Sequence, residues 1–199
     1  MNNSDYLYLR YKYKKVKRII IIILITFPAF KIAFPQQVYI TRTGIASFVS
    51  DAPLEVIKAE SKDVHGAIDL ADRSLVFTID NKSFKGFNSA LQQEHFYENY
   101  METQLYSSST FKGKIIEEID LSSLKEQVVR AKGILDIHGV EQERIIKGTL
   151  KFEDNKLKLR ANFTVLLEDH QIKIPKVVNQ KIAETIEVSI SADLSTENK

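Results

Sequence analysis

The sequence predicts an all-β fold, an antiparallel barrel or sandwich of about seven or eight strands with one short aromatic helix set into it. Three observations carry this. First, apolar and polar residues alternate over most of the chain. The clearest case is residues 156–167, where Leu157, Leu159, Ala161, Phe163, Val165 and Leu167 interleave with Lys156, Lys158, Arg160, Asn162 and Thr164. Second, turn signals rather than helical stretches separate these runs, and one wet face beside one apolar face suits antiparallel sheets. Third, alternation stops in residues 89–113, where Leu91, Phe96, Tyr97, Tyr100 and Met101 crowd into little more than three helical turns, just after Phe84 and Phe87.

Taken in order, residues 38–42 and 44–50 read as strand, with the faces Ile45/Ser47/Val49 and Ala46/Phe48/Ser50 equally apolar. Pro53 breaks the run. Residues 54–64 form a polar strand with Ile57 and Ala59 on one side, and His65-Gly66 reads as a turn. Residues 74–80 alternate, with Leu75, Phe77 and Ile79 on one face. After the aromatic helix, residues 110–116 set Phe111, Gly113 and Ile115 against Lys112 and Lys114. Residues 117–126 are loop. Residues 129–137 place Val129, Ala131, Gly133, Leu135 and Ile137 together. A hairpin at His138-Gly139-Val140 leads into residues 144–152, and Asp154-Asn155 turns the chain again. Residues 168–173 read as a polar loop, with Pro175 in the connection. Residues 182–194 give the last strand, with Ile186, Val188, Ile190 and Ala192 on one face, and residues 195–199 read as a disordered polar tail.

The start of the chain reads differently. Lys12, Lys14, Lys15, Lys17 and Arg18 precede residues 19–30, IIIIILITFPAF. A basic head followed by a short apolar stretch is the export-signal pattern. Twelve helical residues span ~18 Å, short of the ~30 Å hydrocarbon core of a bilayer. Residues 1–36 are therefore expected to be a signal peptide, residues 37–194 the barrel domain, and the protein periplasmic or secreted. The absence of cysteine removes both a lipid-modified cysteine anchor and disulfides. Seven of the 28 Lys+Arg and one of the 26 Asp+Glu lie in residues 1–36, so the remainder holds 21 bases against 25 acids, a formal −4 rather than the +2 of the whole chain. That removes the electrostatic case for a nucleic-acid partner. Roughly 160 residues suffice to bury about 70% of their unfolded surface in one core.

Catalytic signatures are missing: there is no G-x-S-x-G, no phosphate-cradling glycine loop and no cysteine nucleophile. His65 and His138 stand beside turn signals and His170 in a polar loop. His95 and Glu98 have the spacing of a shared metal site, but no second histidine stands at ligand distance. The expectation is no enzyme, no metal and no cofactor. What remains is shape. The candidate inward set is Leu75, Phe77, Phe84, Phe87, Leu91, Phe96 and Tyr100, followed by Met101, Phe111, Leu135, Leu159, Phe163 and Val188. Such an apolar lining fits a small-molecule pocket and fits a filled barrel equally.

The chain also resembles the YceI-like family of lipocalin-like, polyisoprenoid-binding bacterial envelope proteins. The resemblance rests on GIASFVSDAPLEVIKAES, a Gly-Ala-Ile-Asp turn at residues 66–69, Glu94-His95-Phe96, and Asn99-Tyr100-Met101-Glu102-Thr103. Tyr106, Thr110-Phe111-Lys112-Gly113 and residues 133–140, GILDIHGV, complete it. Ser107 stands where the family often has proline, and Glu141 where it often has threonine. The resemblance implies a lipocalin-like antiparallel barrel of about eight strands with the helix at one end. It implies export and a polyisoprenoid, fatty acyl or similar lipid-like ligand in the interior. Membrane contact would then come only through the signal segment or ligand transfer. An envelope protein-interaction or stress-response module with a filled structural barrel stays open beside it, as does a homodimer formed through edge strands.

Export has a direct check. Intact-mass measurement of the envelope fraction should find a chain beginning between Ala33 and Gln37, whereas a full-length cytoplasmic species as the major form would remove the signal-peptide reading.

Overall fold

The alternating stretches become eight antiparallel strands closed on themselves in chain order. A computed structural model describes residues 38–123 and 125–196. The strands are β1 (Val38–Ala52), β2 (Glu55–Asp69), β3 (Ser74–Asp80), β4 (Ser108–Ile115), β5 (Gln127–Ile137), β6 (Val140–Glu153), β7 (Lys156–Leu166) and β8 (Thr185–Thr196). Each pairs with the next, and β8 returns to β1, with Tyr39 opposite Thr196 and Phe48 opposite Val188. The expected export signal lies outside the described residues.

Two expectations need correction. His65-Gly66 is no turn, and neither are residues 66–69: β2 runs straight through them to Asp69. Gly66 sits opposite Phe77, and a Cβ there would meet the Phe77 ring at 2.2 Å, so the glycine makes room for an aromatic ring. The chain reverses at residues 70–73 instead. There the Asp69 and Asp72 carboxylates accept from the Ala71 and Ser74 N–H groups, and Arg73 takes φ 62°. Nor does the polar tail begin at residue 195. Ser195 pairs with Ile40 and Thr196 with Tyr39, because closing the barrel uses the last residues of β8.

The hairpins at the two ends of the barrel follow from local chemistry. Asp154 and Asn155 (φ 52° and 59°), and His138 and Gly139 (φ 55° and 70°), give two-residue loops with positive φ at both positions, matching the twist of the strands they join. The Tyr106 ring packs against His138, with centroids 4.5 Å apart. Glu102 accepts from His138 Nε2 at 2.7 Å, tying this hairpin to the chain beyond the helix.

One end of the barrel is filled. Tyr39, Ile68, Leu150, Leu157 and Leu194 are buried together there, and Ile119 and Leu121 pack in from the loop at residues 116–126. Tyr39 meets Phe152 edge to face at 6.2 Å. Outside it, Lys151 and Lys158 hydrogen-bond Glu153 and hold its carboxyl down to about 2. The other end carries the loop at residues 53–54, the segment 81–107 with its helix, the hairpin at 138–139 and the strap 167–184.

Between β4 and β5 the wall is drawn tight. Gly113 and Gly133 face each other, and a Cβ on Gly133 would stand 2.4 Å from the Lys112 carbonyl oxygen and 2.7 Å from Gly113 Cα. Only backbone could give way. Gly133→Ala should therefore cost about 1–3 kcal/mol in urea denaturation. A loss under about 0.5 kcal/mol would mean that the two strands spread freely.

Candidate functional site

Above the filled end lies a cavity of about 530 Å³, lined by side chains from all eight strands, the helix segment and the strap. That volume falls within the ~300–1,000 Å³ of small-molecule pockets. The register decides what faces it. On β1 the inward face is Ala46, Phe48 and Ser50, while Ile45 faces out. On β7 it is Leu159, Ala161, Phe163 and Val165, the face expected from alternation.

The helix α1 (Ala90–His95) starts at Ser89, whose Oγ accepts from the Gln92 N–H, while Gln92 Oε1 accepts from the Asn88 N–H. It widens into a π-helical turn, Phe96–Tyr100, closed by the Met101 N–H on the Phe96 carbonyl. Gln92, His95, Phe96, Tyr100 and Met101 thereby face the cavity. Leu91 does not. It stands one helical position away from Gln92 and is 58% exposed, so it drops out of the inward set. The other twelve expected residues all stand on the cavity wall: Leu75, Phe77, Phe84, Phe87, Phe96, Tyr100, Met101, Phe111, Leu135, Leu159, Phe163 and Val188.

Under the helix the rings form a cluster. Phe48 stacks on Phe96 with centroids 5.4 Å apart, and Phe84 and Phe87 pack on Phe96 at 5.7 and 5.1 Å. Hydrogen bonds fasten the segment to the wall. Glu60 and Lys85 exchange both backbone bonds at 2.8 Å. The Tyr97 hydroxyl lies 2.7 and 2.9 Å from the Phe84 and Lys82 carbonyls, Asn88 Nδ2 donates to the Val56 carbonyl, and Gln92 Nε2 donates to Glu55.

The polarity of the cavity is lopsided. Its inner half is aliphatic and aromatic; Ser50, Glu55, Gln92, His95 and Lys181 belong to the helix end. Buried Asn81 donates to the Tyr106 carbonyl and accepts from Ser109 Oγ, and Ser50 Oγ accepts from the Ala183 N–H. Burial raises the Tyr100 hydroxyl above its ordinary value, so the phenol remains neutral. Among the described residues no group of acidic, histidine or cysteine side chains is placed to hold a metal ion.

The sequence reading missed the strap. Residues 168–173 read as a polar loop and Leu167 as the end of a strand, yet Leu167, Ile172, Val178 and Ile182 close one side of the cavity. Ile172 is 5% and His170 0% exposed. The available signal was Ile172 and Val178, aliphatic side chains in a stretch with neither strand nor helix period.

A family model for the YceI-like domain matches residues 42–194. No curated protein matches. Among solved structures, the chain is similar to a polyisoprenoid binding domain from Saccharophagus degradans implicated in plant cell wall breakdown, at 16% identity and TM-score 0.68, over 81% of this chain and 99% of that one. It is similar to Burkholderia cenocepacia BcnA at 15% identity and TM-score 0.63, over 77% and 96%. The Campylobacter jejuni YCEI protein follows at 19% identity and TM-score 0.53, over 87% and 94%. At these identities the likeness is one of fold.

A ring facing open space and a side chain inside packed protein differ in what their removal does. Leu157, 1% exposed at the filled end, should lose about 2–5 kcal/mol as Leu157→Ala. Phe163→Ala in ligand-free protein should lose well under the ~3–5 kcal/mol of a packed phenylalanine. Chemical denaturation with and without bound lipid reads both, and equal full-sized losses at Phe163 in both states would mean the barrel is filled there.

Proposed function

The chain belongs to the YceI-like domain family, and from that premise and the cavity we propose that it is a lipid carrier, holding one slender apolar or amphiphilic molecule inside the barrel. The observation that carries the reading is the cavity of about 530 Å³, apolar within and polar only toward the helix end. A chain of methylene or isoprene units would remove apolar wall from water along its length, at about 25 cal/mol per Å². Its polar end would rest near Ser50, Glu55, Gln92, His95 and Lys181. The S. degradans relative is described as polyisoprenoid binding, which supports a ligand of that class without naming it for this chain.

The carrier reading assigns no chemistry to the barrel and needs none: the ligand leaves as it arrived. It joins the export expectation, since a lipid taken from one membrane must be shielded from water on the way to another. A filled structural barrel is the less favoured reading, because the cavity leaves Phe77, Phe111 and Phe163 only partly buried.

Native mass spectrometry of the purified full chain should find a co-purified lipid, which organic extraction then identifies. Replacing Phe96, Tyr100 and Met101 together by alanine should lower its occupancy while circular dichroism keeps the β signal. A chain that carries no lipid from its host and takes none from mixed phospholipid and isoprenoid vesicles would end the carrier reading.

A further inference from the structure

The barrel wall is not continuous. β6 pairs with β7 only from Gly148 opposite Ala161 to Glu153 opposite Lys156. Both strands run on toward the helix end, β6 to Val140 and β7 to Leu166. Each stays paired on its outer side, β6 with β5 through Val140 and β7 with β8 through Leu166. Among the described residues, no backbone pair joins 140–147 to 162–166. This seam lies over the cavity, since Ile146 and Gly148 on one lip and Phe163 and Val165 on the other line it.

The seam is covered by the start of the strap, held there largely by side chains. Arg144 donates to the Thr164 carbonyl at 2.8 Å across the gap and stands 3.7 Å from Asp169. Gln142 Nε2 donates to the Asp169 carbonyl at 2.8 Å. His170 Nδ1 lies 3.0 Å from the Val140 carbonyl, and His138 Nδ1 lies 3.2 Å from the His170 carbonyl. His170 is fully buried, yet its Nε2 has no hydrogen-bond partner, so the closed cover leaves a polar atom unsatisfied.

The wall also thins where β2 runs past the end of β3, and there the contrast is sharp. The aromatic segment fills that gap with a reciprocal backbone pair between Glu60 and Lys85, the anchored Tyr97 hydroxyl and the ring cluster on Phe96. Shifting it would break backbone pairing and expose four rings. Shifting residues 167–172 would break side-chain links that water can replace and one backbone bond, from the Leu167 N–H to the Glu184 carbonyl, and would uncover Ile172, while no β6–β7 ladder would have to open.

We propose that the β6–β7 seam is a lateral port through which a lipid ligand enters and leaves, with residues 167–172 as its cover and Arg144 as its latch. This deepens the carrier reading and rests on it. Lateral passage lets an acyl or isoprenoid chain slide sideways from a membrane into the barrel, its polar end never crossing the apolar interior. The aromatic helix is then a fixed roof, and the cover moves.

The absence of cysteine makes the test clean. A Gln142→Cys/Asp169→Cys pair, closed as a disulfide by an added oxidant or by a short bis-methanethiosulfonate cross-linker, ties the cover to β6. An Asn88→Cys/Val56→Cys pair does the same for the helix segment. Stopped-flow fluorescence with cis-parinaric acid, a fluorescent polyene fatty acid, follows uptake and release. The seam lock should slow both by about tenfold or more, reversed by reductant, and the helix lock by less than about twofold. Arg144→Ala should speed release severalfold with unchanged circular dichroism. Normal rates in the seam-locked protein, or slowing only in the helix-locked one, overturn the port while leaving the carrier standing. No equilibrium uptake by the unlocked protein ends both.

Discussion

Every strand in this domain must pair its backbone N–H and C=O groups on both sides while enclosing a space its side chains do not fill. The ladder constrains the molecule more than any single contact does. It sets the alternation that puts Leu159, Phe163 and Val165 inside and Arg160 and Thr164 outside. It brings the backbones so close at Gly113 and Gly133 that neither position admits a side chain. Where strands outrun their neighbours, the ladder must be replaced, and those two places give the helix end its character.

The replacements differ in kind. Beside β2 the chain supplies new backbone pairing at Glu60–Lys85 and a cluster of rings. Between β6 and β7 it supplies the buried ring of His170, the guanidinium of Arg144 and the amide of Gln142. Rings and ladder resist separation through area and cooperativity. Isolated side-chain hydrogen bonds exchange with water at small net change. A stable wall with one yielding section follows from where the strands stop.

Much of this was legible in the sequence. Alternation, β-branched content and turn signals together located the strands, and alternation placed Leu75, Phe77, Phe111, Leu135, Leu159 and Phe163 on the cavity wall, because in an antiparallel barrel the side-chain period is set by the pleat. The failures also have physical reasons. Gly66 resembled a turn glycine because a residue without a side chain reads alike whether it frees the backbone or makes room for a ring. Leu91 was counted with Phe96 by apolarity alone, whereas the cap at Ser89 and the π turn fix which side faces in. The strap carried no periodic signal, since short 3-10 turns bury side chains one at a time.

The chain-order meander has a consequence for how the protein comes to be folded. Seven of the eight pairings join strands adjacent in the sequence, and only β1 with β8 joins the two ends of the domain. The short hairpins at residues 53–54, 138–139 and 154–155 can zip independently, each with a small loop to close. The one long-range closure, Tyr39 onto Thr196 and Phe48 onto Val188, has to come after the sheet has curled. Until then β1 and β8 are open edges, long and rich in β-branched residues, and the nascent chain is most exposed to pairing with a copy of itself.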